Sequence, residues 1–303
     1  MNSFIENREK NKKVQLIIQD ELDNAGINYT VNMNELNISP QSKSIIEITS
    51  SPGNLSNSIK DHCFPKENRG VILDHYTSFE SFKSIINSKT LRLYSILKRE
   101  KEDEFKPFSE DFNLKENLFE NNGVPNYKKV MNDIFYTSFT SQDNPNVKGM
   151  WDEFGENGMG VKISFGISVI KERSRLRKVI YGSKVTAAGS PLTKIMKRVE
   201  DEAGLSFILR GISNIGAFWL PVGRFEVENE SRLLVQGQSF GPLNEIIECD
   251  GKYKYIPLKI GPNMNDICEL KIKEITVGKV HDIDDIKEFL VRSGVSDVKL
   301  IQE

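Results

Sequence analysis

Residues 71–80 read Val-Ile-Leu-Asp-His-Tyr-Thr-Ser-Phe-Glu. The pattern changes half way along. Residues 71–76 carry enough apolar side chains for a short strand, and Thr77-Ser78-Phe79-Glu80 has the form of a capping box, with Thr77 as N-cap and Glu80 at N3. Phe82, Ile85 and Ile86 then recur on one helical face. Residues 91–94 form the next strand, with Leu91 and Leu93 on one side and Arg92 and Tyr94 on the other. A strand, a capped helix and a half-polar strand in succession belong to an α+β protein whose sheet is covered on one face.

The same irregular alternation continues downstream. Strands are expected at 134–139, 161–165, 179–181, 232–235, 252–256, 269–277 and 298–301. Helices are expected at 147–154, 191–220 and 284–292, with Gly211 and Gly216 as interruptions in the longest. Upstream, Val14, Ile17, Ile18 and Leu22 mark a helix over 4–25 that stops at Asn24 and Gly26. Two β-like pieces follow at 29–31 and 44–49. The turn-rich stretch 50–70, with Ser51-Pro52-Gly53, is the expected boundary. Residues 1–69 therefore read as a small N-terminal α/β accessory region, and 70–303 as the main domain.

Composition bounds the partners. Lys and Arg total 41 and Asp and Glu total 43, a net charge of -2, so no global field attracts or repels nucleic acid. Only local runs stand out. Glu100, Lys101, Glu102, Asp103 and Glu104 read as a solvated run or a Mg2+ contact. Lys171, Arg173, Arg175, Arg177 and Lys178, then Lys194, Lys197 and Arg198, read as solvated faces or phosphate contacts. Cys63, Cys249 and Cys268 are odd in number and far apart, which argues against a disulfide framework or a cysteine zinc site. His62, His75 and His281 are too scattered for a histidine metal site. No apolar run approaches the roughly 20 residues of a membrane span. Residues 1–13 are polar and charged, unlike a secretory signal. A cytoplasmic protein with no membrane partner is expected. The usual dinucleotide fingerprint, the P-loop, the GxSxG elbow and HExxH are all absent.

Three constellations carry chemistry. In the first, His75 ends a strand just before a capped helix. It could offer a ring nitrogen to a ligand, with the Thr77 hydroxyl beside it, or simply bond the backbone. In the second, Trp151 and Phe154 share a helix face and could wall a planar ligand or fill a core. The third is Glu228-Asn229-Glu230-Ser231-Arg232. If extended, it places Glu228, Glu230 and Arg232 on one face, as a site for a ribose and a developing positive charge or as a surface ion-pair ladder.

Taken in order, these pieces resemble a bacterial family of uncharacterised domains. The matching residues are His75-Tyr76-Thr77-Ser78 with Leu91-Arg92-Leu93-Tyr94-Ser95, then Thr137-Ser138-Phe139, Met150-Trp151-Asp152-Glu153-Phe154 and Gly160-Val161-Lys162-Ile163-Ser164-Phe165. Glu228, Glu230, Arg232 and the stretch 272–278 complete the set. The likeness spans about residues 70–290. That family resembles a remote branch of the ADP-ribosyltransferase fold, similar in layout to toxins and antiphage defence effectors that modify nucleic acid or protein. The resemblance implies a split mixed or antiparallel sheet with flanking helices, and NAD+ as co-substrate. It implies Glu230 as the catalytic residue and His75 as the ribose or amide contact; beside them, Thr77 offers a hydroxyl, Glu228 is expected to orient the ribose or the acceptor, and Arg232 to hold Glu230 ionised or contact a phosphate. Tyr94, Trp151 and Phe154 are its candidates for the aromatic on nicotinamide. Its implied partners are a nucleic-acid or protein acceptor and a cognate antitoxin or defence-system partner. Two departures bear on the aromatic: Phe154 stands where the family has Tyr, and the acidic motif after the second strand here reads Glu102-Asp103-Glu104. An NAD+ glycohydrolase and a non-catalytic sensor are the alternatives on the same fold.

Overall fold

Chain contacts divide the protein into two units. One takes Met1–Pro65, Glu104–Gly123 and Gly182–Pro221; the other takes Lys66–Asp103, Val124–Tyr181 and Val222–Glu303. The first crossing lies close to the expected boundary at 69. Two later segments, however, join the N-terminal unit, where a single cut would have left them in the main domain. The computed structural model describes residues 2–39, 43–48, 54–68, 70–98, 106–114, 120–121, 124–125, 134–169, 174–223, 225–236, 247–265 and 267–303. The acidic run 100–104, Lys171, Arg173 and Ser51-Pro52-Gly53 lie outside the described residues.

The N-terminal unit begins with the helix Asn2–Asn24, which packs on the helix Pro191–Ala203. Arg198 joins them, donating from Nη1 to Glu21 at 2.9 Å and also pairing with Asp20. The expected helix 191–220 stops at Ala203 because Gly204 turns left-handed, with φ 64°. Ser206–Ile208 is then a strand, parallel to Ser44–Glu47, which pairs antiparallel with Leu36–Ser39. No strand forms at 29–31; Gln19 ties that stretch down by bonding Tyr29 and Val31 main chain. Phe112 and Trp219 meet edge to face at 4.8 Å, with Trp219 Nε1 donating to Asp111.

The second unit holds β1 (Val71–Thr77), α1 (Phe79–Ser88), β2 (Thr90–Ser95), β3 (Ile134–Ser141), α2 (Val147–Phe154), β4 (Val161–Val169), β5 (Ser174–Lys178), β6 (Glu230–Gln236), β7 (Glu248–Cys249), β8 (Lys254–Lys259), β9 (Cys268–Val277), α3 (Ile283–Arg292) and β10 (Lys299–Gln302). The class is α+β. Among the described residues the ten strands form one sheet, ordered β7-β8-β2-β3-β1-β4-β9-β10, with β6 along the other edge of β3 and β5 beyond β6. Among the described residues of this sheet, the β9–β10 pairing alone is parallel.

The middle of this sheet is split. β3 pairs with β6 along its whole length. On its opposite edge it pairs with β2 only at Tyr94–Tyr136 and Ser95–Phe135, and with β1 only at Leu73–Ser141 and Asp74–Thr140. Between these short ladders, Thr137, Ser138 and Phe139 face neither strand. One apolar core nevertheless runs under both halves, from Phe165 and Ile163 on β4 through Phe139 to Leu233 and Ile256, closed by Phe82 and Ile86 of α1 and Ile286 and Leu290 of α3. The split therefore opens on the polar side without parting the core.

The N-cap of α1 is Ser78, whose hydroxyl accepts from Ser81 N at 3.1 Å. This corrects the expected Thr77–Glu80 box. Thr77 is still in the ladder, opposite Val161, so the helix starts one residue later. Phe79 N donates to Glu156 at the turn after α2. That turn is tight: a Cβ on Gly160 would sit 2.3 Å from the Thr77 carbonyl, and one on Gly278 would sit 2.0 Å from the Gly158 carbonyl. Among the described residues no helix is long and apolar enough to cross a membrane.

Candidate active site

A cleft of about 750 Å3 opens at the split, entirely within the second unit. His75, Tyr94, Ser138, Phe154, Glu228 and Glu230 line it, and Thr77 lies at its wall. This size suits a nucleotide-sized ligand.

His75 replaces the missing ladder. Its Nδ1 lies 3.0 Å from the carbonyl oxygen of Ser138, in the unpaired part of β3. A carbonyl only accepts, so Nδ1 carries the proton and Nε2 keeps a lone pair. Burial pushes the imidazole pKa below its ordinary value and so favours this neutral form, partly opposed by the Ser138 bond.

Ser138 also reaches the carboxylate pair. Its hydroxyl donates to Glu230 Oε1. Arg232, two residues on and on the same face of β6, grips Glu230 with Nε at 2.7 Å and Nη2 at 3.1 Å. Both side chains are nearly sealed, at 1% and 3% exposure, so the guanidinium supplies the countercharge this carboxylate needs away from water. The Glu230 main-chain N–H donates to the Tyr181 hydroxyl, whose pKa burial and the Glu230 charge push up.

The expected alternation holds for Glu230 and Arg232 but not for Glu228. Glu226–Glu228 is a 3-10 turn and Asn229 is left-handed at φ 44°, so β6 begins only at Glu230. Glu228 reaches the cleft from this turn instead. Buried Asn144 holds the turn in place. Its Nδ2 donates to the carbonyls of Glu228 at 2.9 Å and Val227 at 3.2 Å, and to Thr140 Oγ1 at 2.9 Å. Its Oδ1 accepts from Asn146 N at 2.8 Å, at the start of α2. One side chain thus ties two walls of the cleft together.

The aromatic candidates separate. Tyr94 lines the cleft, with the Lys98 ammonium 3.4 Å from its ring centroid. Phe154 lines it as well. Trp151 does not; it is 3% exposed and meets Tyr76 edge to face at 5.3 Å. The shared helix face was correctly read: Trp151 packs with Tyr76 and Met150, Phe154 packs against the same cluster, and Trp151 stands behind the cleft wall that those three residues form. Trp151 is thus a packing residue, which corrects its candidacy as a ligand wall.

Three further residues complete the site. Ser138 figures only as part of the resemblance, with no role attached, while Tyr136 in an apolar strand pattern and Asn144 in a turn each read as ordinary. No protein family, curated protein or solved structure matches the chain.

Proposed function

We propose that the second unit is an NAD+-dependent ADP-ribosyltransferase domain of the split-sheet type, acting on a macromolecular acceptor. The observation that carries this reading is the relay through Ser138. Its carbonyl accepts a hydrogen bond from His75 Nδ1–H, and its hydroxyl donates to Glu230, so a neutral imidazole and a paired carboxylate face one nucleotide-sized cleft. The split of the sheet at that point and the order of the motifs support the same reading.

NAD+ supplies an ADP-ribosyl group with nicotinamide as the leaving group. In that chemistry the lone pair of His75 Nε2 accepts a hydroxyl hydrogen of the ribose and fixes its orientation. The Glu230 carboxylate faces the positive charge that develops at the sugar, as a carboxylate does in glycoside cleavage. Arg232 and Ser138 hold that carboxylate in one rotamer. Glu228, on the adjoining turn, takes the proton that the attacking group of the acceptor gives up. With water as acceptor the same residues make an NAD+ glycohydrolase. A toxin or defence-effector role, with an antitoxin or defence-system partner, follows from the family resemblance alone.

Incubating the protein with adenylate-labelled NAD+ and cell lysate tests this. Label on nucleic acid or protein, with nicotinamide released, is the expected result. Free ADP-ribose without adducts selects the glycohydrolase. Neither product from folded protein overturns the reading.

A further inference from the structure

Arg92 stands on the polar face of β2, between Leu91 and Leu93, which turn into the core. It is exposed, and it lines the same cleft as His75 and Glu230. Its guanidinium carbon lies 4.5 Å from the ring centroid of Tyr255 on the neighbouring strand β8, and Nη1 donates to the Tyr94 hydroxyl at 3.4 Å. The Tyr255 ring is itself fixed, since its hydroxyl donates to Glu248 at 2.6 Å. Two tyrosines thus hold the planar group by one face and one edge atom. A guanidinium carries five N–H donors in a rigid fork, so most of the fork remains to bond something else. Asp250 acts on Arg92 through space only. That carboxylate is already engaged: Oδ1 accepts from Lys252 N at 3.1 Å and Tyr253 N at 2.8 Å, and it also takes the Tyr94 hydroxyl beside Lys98.

The other arginine of the site is closed to such a task. Arg232 is 1% exposed and gripped by Glu230. Lys162, near the cleft, is paired with Asp74 at 3.4 Å. Arg92 combines exposure, a planar fork and a fixed platform. We infer, taking from the proposed function only that a nucleotide enters this cleft, that Arg92 is its phosphate-binding residue. Phosphate oxygens meet a guanidinium edge through two parallel N–H···O bonds, a geometry an ammonium cannot match. The face rests on Tyr255 while the edge binds, so little rotamer freedom is lost on binding. Two ligands carry these oxygens: the diphosphate of NAD+ and a phosphodiester of a nucleic-acid acceptor.

The test titrates the wild type, Arg92→Gln and Arg92→Lys with NAD+ by calorimetry, and with a labelled single-stranded oligouridylate by anisotropy over a range of salt. Thermal melts first establish that each protein is folded. Arg92→Gln is expected to raise the dissociation constant of at least one ligand roughly tenfold or more, the scale of a charge-assisted hydrogen bond. A loss on NAD+ identifies the diphosphate as the group held. A loss on the oligonucleotide, with the slope of log K against log salt shallower by roughly 0.7, identifies one phosphodiester of the acceptor. Arg92→Lys keeps the charge without the fork and is expected to recover only part of the affinity; full recovery would overturn the role of the stacked fork. If the wild type binds either ligand and Arg92→Gln weakens neither, the assignment is overturned, and the NAD+ reading stands wherever NAD+ is bound. If only the oligonucleotide binds and Arg92→Gln weakens it, Arg92 keeps its role and the NAD+ reading falls. If the folded wild type binds neither, both fall together.

Discussion

His75 Nδ1 lies 3.0 Å from the main-chain oxygen of Ser138, and this contact does the work of a ladder bond where β1 and β3 part. A side chain that closes a backbone gap is bound to the protonation state of its ring. Four expectations follow from this and from the surrounding packing.

The first concerns pH. The folded imidazole pKa is lowered from an unfolded value near 6.5. The unfolded chain therefore binds the proton more readily, and the contribution of His75 to stability is complete above pH 6.5 and is lost as pH falls through the folded value. Urea midpoints at pH 7.5 and 5.5 should differ more in the wild type than in His75→Asn. Equal differences would show that His75 does not carry this dependence.

The second separates chemistry from folding at the buried pair. Glu230→Gln should abolish transfer, and it removes the carboxylate that grips the buried Arg232, at a cost on the order of 3 kcal/mol. The double variant Glu230→Gln/Arg232→Met should recover most of that stability and none of the activity. Thermal melts and label transfer read the two effects separately. Full activity in either variant would remove Glu230 from the reaction.

The third concerns Asn144. Asn144→Ala takes the side-chain donor from the Val227 carbonyl and one of two donors from the Glu228 carbonyl, which keeps the Thr140 hydroxyl, and should cost about 1–3 kcal/mol. Asn144→Asp should be worse, because it aims a carboxylate at the same two oxygens. The turn bearing Glu228 should loosen, so kcat should fall more than KM rises. An unchanged kcat in Asn144→Ala would show that the turn does not need this anchor.

The fourth concerns Trp151. Trp151→Ala should cost about 3–5 kcal/mol by emptying the contact with Tyr76. Trp151→Phe should retain the wild-type dissociation constant for NAD+, since the indole does not line the cleft. A marked loss of NAD+ affinity in Trp151→Phe would return it to the site.

Much of the second unit could be read from local pattern. The period change at His75-Tyr76-Thr77-Ser78 located both a strand end and a helix start, missing the cap by one residue because Thr77 still pairs with Val161. The Trp151–Phe154 spacing fixed a shared helix face, but nothing local says which residue of that face meets the core. Alternation through Glu228 failed because a left-handed Asn229 interrupts it, and Asn adopts that conformation without a distinctive neighbour. The pairing of Ser206–Ile208 with Ser44–Glu47 leaves no trace in either segment, since its partners are far apart in the chain. Ser138 belongs to a motif of the resemblance, but its role was the hardest to see. A serine in an apolar strand becomes a hub only once β1 and β6 lie on either side of it.

The crowding of Gly160 against Thr77 and of Gly278 against Gly158 bears on how this sequence can drift. Each position excludes even a methyl group, and each leans on backbone rather than on a side chain that could shrink in compensation. A second substitution therefore cannot rescue the first. In any lineage that keeps the cleft, these two codons are expected to be invariant, while the side chains of the intervening turn vary around them.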